Sequence, residues 1–475
     1  MKLAYNVNDK PKFGRIIVFA LQQLLAIMAA TIAVPSMVGH ELTADAALFG
    51  AGCGTIVYLL FTKFRSPVFL GSSFAFIGSM SAAFAGAVSM QLGYLGLIIG
   101  AVFAGLVYVI IAIIVKFAGV NWIDKVMPAV VIGPTVAIIG LSLSSDAVKK
   151  FFNYAGNFND DLGAYIMNTK SLLCLATALV TLTVTMLCAT YGKNMMKLIP
   201  FILGILAGYA FASILTVFGI VFSVDSMKII DFAVFKELKI VALPHFVFLE
   251  GFKGFKEINA SYIISILVAY VPVALVVFAE HLADHKNLSS IIESDLTKDP
   301  GLCRTLLGDG IGSMVGAFFG GCPNTTYGES IGCVAITGNA STVSILGAAI
   351  MAIVVAFIGP FVAFLNSIPS CVMGGVCLAL YGFIAVSGLK MLQPVNLGDN
   401  KNLFTASVIL IAGVGNLALA FSVGDNQYIT LRTVACALIL GILTNLMLSC
   451  KKNNTQKAPV DDPAPVETEE NKDAE

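Results

Sequence analysis

Runs of about 20 apolar residues, nearly free of charge, recur from position 14 to position 449, and they decide what this chain can fold into. A helix needs about 20 such residues to cross bilayer hydrocarbon. Inside lipid, only a helix or a closed barrel keeps its whole backbone hydrogen-bonded. The runs lie near 14–34, 46–62, 67–90, 93–115, 128–145, 171–190, 197–222, 260–283, 304–319, 323–338, 341–364, 369–388, 402–421 and 430–449. They predict an all-α polytopic membrane protein of 14 transmembrane segments embedded in a lipid bilayer. Charged residues make up 12% and apolar residues 58% of the chain, whereas soluble domains are about 25% charged. The pattern disfavours a secreted disulfide scaffold and a disordered chain. A net formal charge of zero offers nucleic acid no attraction. The ten cysteines contain no CxxC and read as small hydrophobes, with neither disulfides nor metal ligands expected. The first run lacks a small-residue cleavage site and reads as a retained span.

An even span count puts both ends on one side of the membrane. That side would hold 19 of the 28 Lys and Arg, and five of the remaining nine fall in the 223–258 connection. Both termini are therefore expected in the cytoplasm. The chain divides into a cytoplasmic N-terminus (1–13), a seven-segment half (14–222), an extracytoplasmic connection (223–258), a second seven-segment half (259–450) and an acidic tail (451–475) expected to be disordered.

The halves echo one another. Ser66-Pro67 leads to Gly71-Ser72-Ser73-Phe74, and Cys322-Pro323 leads to Tyr327-Gly328-Glu329-Ser330. Pro128 and Gly133 have the same spacing as Pro369 and Gly374. Seven spans per half run the two copies in opposite directions, an inverted repeat of the kind found in secondary transporters. Segments three and ten are too broken by Gly and Pro to be plain spanning helices. Two such breaks facing each other would aim free N–H groups at one spot suited to a small polar ligand. The alternative is that these residues merely kink and pack helices.

Ionisable residues inside the spans are few and costly, roughly 2.5–3.5 kcal/mol each at mid-bilayer. Glu280 and Asp284 are four apart and share a helix face; His281 and His285 share the neighbouring one. Glu329 follows Gly328 at the tenth-segment break, and Asp309 lies in a Gly-rich span, where packing or capping is the ordinary expectation. For residues 280–285 the choices are a solvated helix end, a zinc site or a carboxylate pair that handles ligand and proton. The zinc motif fails because Leu282 follows His281 and no third ligand is evident.

At these residues the sequence resembles the nucleobase–cation symporter-2, or nucleobase–ascorbate transporter, family, and most of all its uracil permeases. The resemblance rests on Ala279-Glu280-His281, Asp299-Pro300-Gly301-Leu302, Pro323 through Gly332 with Ala335-Ile336-Thr337, and Gly71 through Phe76. It implies a core domain (14–116 and 259–364) and a gate domain (125–222 and 369–450). It also implies short antiparallel strands in segments three and ten, and a homodimer in a bacterial plasma membrane. Uracil would enter with a proton as coupling ion, and no cofactor is implied. Glu280 and Glu329 would bind pyrimidine N–H groups, and backbone N–H groups at Phe74 and Gly328 would bind its carbonyls. Ser73 would belong to the same binding group, and Phe74 and Tyr327 would form an aromatic wall. Glu280, Asp284 and His285 are the implied proton-coupling candidates. Asp284 stands where some uracil permeases have His, and Ser330 where the family signature usually has Asn. A xanthine or urate permease is the alternative; Glu329 speaks against it, since purine members tend to have Gln there. A channel or anion exchanger on the same plan is disfavoured because Glu280 and Glu329 would repel an anion. An enzyme is not expected: the sequence has no nucleophile elbow and no P-loop.

Overall fold

The computed structural model describes residues 3–120, 122–152, 157–159, 161–236, 238–422 and 428–449. The tail expected to be disordered at 451–475 lies outside the described residues. The longer helices are α1 (Phe13–Val38), α2 (Ala44–Phe61), α3 (Ile77–Ala85), α4 (Met90–Ala118), α5 (Ala129–Ser142), α6 (Ser144–Phe151), α7 (Thr169–Tyr191), α8 (Pro200–Val221), α9 (Ala260–Ile292), α10 (Leu302–Gly320), α11 (Gly328–Thr337), α12 (Thr342–Val355), α13 (Gly359–Ser367), α14 (Ser370–Lys390), α15 (Asn400–Val414) and α16 (Thr433–Ser449). The strands are β1 (Leu70–Ser72), β2 (Asn157–Asn159), β3 (Ala164–Ile166), β4 (Asn324–Thr326), β5 (Leu419–Ser422) and β6 (Tyr428–Leu431). Among the described residues, eight stretches are long and apolar enough to cross a bilayer: α1, α2, α4, α5 running on into α6, α7, α8, α9 and α14. The fold is mostly helical and of the multi-pass membrane type.

Several expected spans need correction. The 260–283 span continues to Ile292, so Glu280 to His285 lie inside a 33-residue helix and not at its end. The 341–364 run is two helices, α12 and α13. Pro360 lies in the first turn of α13, where its missing N–H costs nothing, and it cannot continue the helix before it. The freed backbone at this break is taken by the 223–258 connection: Ala242 N donates to Phe357 O at 2.9 Å, and Gly359 N donates to Ile240 O at 2.9 Å. The 402–421 run stops as a helix at Val414. Asn416 beyond it has φ of 52°, a left-handed turn that ends the helix and feeds β5. The β2–β3 and β5–β6 hairpins are two strand pairs that the expectation of helices throughout did not include.

Glycine sets the closest helix packing. A Cβ at Gly50 would stand 2.5 Å from Gly316 O, and one at Gly54 would stand 2.6 Å from Gly312 O. So α2 and α10 meet backbone to backbone through small residues four apart, a common way for helices to associate in lipid. The same gap admits the Asn324 side chain, whose Nδ2 donates to Gly50 O at 3.2 Å. Helix α2 also packs on α12, and α4 packs on α9 and α10. Elsewhere α14 packs on α5, α6 and α7, and α15 packs on α5 and α16. Pro128 and Pro369 hold equivalent places, each as the cap residue immediately before α5 and α14.

Candidate functional site at the crossing of two broken segments

Beyond Pro67 and Pro323 the chain runs extended, and its buried backbone groups need partners. Each stretch supplies them to the other. β1 and β4 pair antiparallel with Leu70 opposite Thr326, Gly71 opposite Thr325 and Ser72 opposite Asn324. Ser73 N extends the ladder by donating to Pro323 O at 2.9 Å. All six strand residues are buried. Each strand then turns into a helix: β1 through a tight turn at Phe74–Phe76 into α3, and β4 through Tyr327 into α11. The first N–H groups of both helices lack partners within their own helix, and both helices begin at this crossing.

The sequence-predicted residues fall around it as follows. Tyr327 lies against Gly71, where a Cβ would run into its ring, and its hydroxyl donates to Ser72 O at 2.6 Å. Phe74 is buried and meets Tyr381 of α14 edge-on, with ring centroids 5.6 Å apart. Ser73 is buried, and its Oγ, like that of Ser72, has no hydrogen-bond partner among the described residues. Gly328 is exposed and faces open space, with nothing within 4 Å of where a Cβ would be. Glu329 occupies the first turn of α11 and is half-buried. Glu280, also half-buried, is carried by α9, which packs against β4, α11 and the Phe74–Phe76 turn. Asp284 is tied to β4: Thr326 Oγ1 donates to its Oδ2 at 2.7 Å.

His285 points elsewhere. Its Nδ1 lies 2.8 Å from His281 O, and a carbonyl only accepts, so Nδ1 carries the hydrogen. Its Nε2 lies 2.7 Å from Tyr58 OH, which is in turn 2.7 Å from Ser66 Oγ. The ring thus joins α9 to α2, away from Asp284. His281 stacks on it, with centroids 4.0 Å apart. His281 Nδ1 pairs with Asp309 Oδ2 at 2.7 Å, and its Nε2 lies 3.1 Å from Thr305 Oγ1. Asp309 is therefore the partner of a fully buried histidine and not a helix cap. Among the described residues no group of three His, Cys, Asp or Glu is arranged to hold a metal ion.

Sequence reasoning missed three further members. Ser330 accepts from Phe69 N at 2.9 Å and is also bonded by Gln23. Thr326 anchors Asp284, and Tyr381 comes from a distant helix. Only Ser330 carried a visible signal, as a departure from its family signature. The others depend on which helices become neighbours.

Interrupted helices and half-buried carboxylates inside a multi-pass fold are features found in membrane transporters. The chain belongs to the nucleobase–ascorbate transporter family: the family model described as "Permease family" matches residues 14–421. It is 39% identical to a uracil permease of Bacillus caldolyticus and 38% identical to one of Bacillus subtilis (strain 168). Each alignment spans 94% of this chain and 95% of the relative. The fold is similar to the transmembrane domain of a cyanobacterium bicarbonate transporter, BicA, with a TM-score of 0.61 and 15% identity over 93% of this chain and 100% of that one. The protein is a multi-pass membrane permease and not an enzyme, as its family and relatives are.

Proposed function

We propose that the protein carries uracil into the cell together with a proton, by alternating access. The observation that carries this reading is the β1–β4 crossing. It supports a flat slot with N–H donors from two helix starts on one side and the carboxylates Glu280 and Glu329 on the other. Uracil is a flat ring with two N–H donors and two carbonyl acceptors. Carboxylates accept from the former, and the backbone N–H groups at Phe74 and Gly328 donate to the latter. The unpaired Ser73 hydroxyl adds a further partner, and Phe74 and Tyr327 supply the aromatic wall. The uracil permeases among its relatives support the same substrate.

In this reading the chain has 14 segments in two inverted repeats, with both termini in the cytoplasm of a bacterial cell and the working form a homodimer. The packing of α2, α4, α9, α10 and α12 on one another, and of α5, α6, α7, α14, α15 and α16 on one another, supports a core and a gate at the ranges given above. Coupling follows from charge. Glu280 and Asp284 lie four apart on α9, which packs against α11 where Glu329 sits in the first turn, and ionising all three at membrane depth is costly. A proton taken up with the neutral substrate relieves that cost. Glu280 and Asp284 are the leading carriers. His285 is a weaker candidate, since its hydrogen bonds engage α2 and not the slot.

The test is radiolabelled uracil uptake into proteoliposomes. Uptake rises with an acid-outside gradient and falls with a protonophore. Equal uptake in both conditions removes the proton. Binding measured against a panel of pyrimidines and purines tests the substrate, and tighter binding of xanthine or urate than of uracil replaces it.

A further inference from the structure

A cavity adjoins the proposed slot. It has a volume of about 210 Å³ and shares Phe74 with the slot as part of its wall. From Phe74 it runs along the α3 side of Ser79 and Ser81, past Val273 of α9, to Asp146 on α6 and Arg432 at the head of α16. Val273 lies about two helical turns before Glu280, so the cavity sits on the side of the slot from which α9 enters the membrane, the side of the 223–258 connection. The face formed by α3 and α9 belongs to the proposed core, and the face formed by α6 and α16 to the proposed gate.

Arg432 is the notable group. Its side chain leans over Gly78 of α3, whose missing Cβ would lie 3.8 Å from Arg432 Cγ. Its Nε is shielded from solvent and has no hydrogen-bond partner among the described residues. The guanidinium has further N–H donors in its fork, and a carbonyl oxygen entering the cavity that Arg432 lines would give them an acceptor. Asp146 lines the same cavity; its carboxylate is half-exposed and 3.5 Å from Lys149 Nζ. A donor and an acceptor lining one cavity match the chemistry of a pyrimidinedione edge, which presents a carbonyl next to an N–H.

We propose that this outer cavity is a staging site for the nucleobase, where Arg432 donates to a ring carbonyl and Asp146 accepts from the neighbouring N–H before the ring slides past Phe74 into the slot. The inference rests on the uracil reading and adds to it a second recognition step with its own residues. A staging site stabilises the encounter, not the final complex. Its loss slows arrival and departure alike and leaves slot affinity unchanged.

The experiment compares wild type, Arg432→Gln, Arg432→Lys and Asp146→Asn, each first checked for monodisperse elution and an unchanged thermal unfolding midpoint. Initial-rate uptake in proteoliposomes gives kcat and KM for uracil, and equilibrium binding to purified protein gives Kd. For Arg432→Gln the expected result is a fall in kcat/KM of about tenfold, carried by KM, with Kd within about twofold of wild type, as the loss of one charged hydrogen bond implies. Arg432→Lys keeps the charge but loses the fork and falls between. Asp146→Asn, which loses the acceptor charge, shows a smaller rise in KM. Wild-type kinetics in Arg432→Gln overturn the proposal. So does a fall in kcat at constant KM, which makes Arg432 a strut of the moving gate, and so does a Kd that worsens in step with KM. Failure of the wild type to bind uracil would instead remove the substrate reading, and this inference with it.

Discussion

Gly71→Ala probes the crossing most directly. The added Cβ would enter the Tyr327 ring, with Cδ2 only 2.8 Å away and two further ring atoms closer still. The ring cannot swing aside freely, because it is buried and its hydroxyl is bonded to Ser72 O at 2.6 Å. The strand cannot retreat freely either, because Gly71 is paired with Thr325. Relief therefore breaks one of these links, and overpacking of this kind costs about 1–3 kcal/mol. Because Tyr327 and Gly328 adjoin the proposed slot, the strain would reach a ligand held there, and uracil Kd is expected to rise about 5- to 150-fold. Tyr327→Ala removes the obstacle along with the wall. In that background Gly71→Ala should add little, giving a coupling close to the whole cost of the single change. The cycle is read twice on purified protein, as calorimetric Kd and as thermal unfolding midpoint. Additive effects in both measurements would refute the reasoning, as would a Gly71→Ala protein that binds like wild type.

Other expectations can be checked on the same preparations. With the coupling proton on Asp284, Glu280→Gln and Glu329→Gln each lose an ionised acceptor worth about 1.5–3 kcal/mol, so uracil Kd rises about 10- to 150-fold while the unfolding midpoint stays put; tight binding in either removes that residue as an ionised acceptor in the proposed slot. Asp309→Ala leaves the buried His281 Nδ1 without its hydrogen-bond partner, a loss of about 1–3 kcal/mol, and should lower the unfolding midpoint; an unchanged midpoint argues against the pairing. Ser330→Ala strips the acceptor from the buried Phe69 N–H and should cost about 1–3 kcal/mol, read as reduced thermal stability that Ser330→Thr partly restores.

Sequence alone determined the solvent of this protein. Its long uncharged runs can be satisfied only in lipid, and that requirement makes the fold helical and multi-pass wherever the runs are unbroken. It also marked where backbone must leave the helix, at Pro67 and Pro323, and which acids are out of place at membrane depth. These features are local, so they are legible one segment at a time. Tertiary structure decided the partners. That Thr326 holds Asp284, that His281 takes Asp309, that His285 turns to Tyr58 and that Arg432 leans over Gly78 all depend on which helices become neighbours. A helix presents its side chains in every direction, and only packing chooses which of them meet. The same reason explains the misjudged ends: the 341–364 run breaks in two where its backbone groups found partners far away in the chain, and α9 runs on past His285 with His281 and His285 buried against α10 and α2.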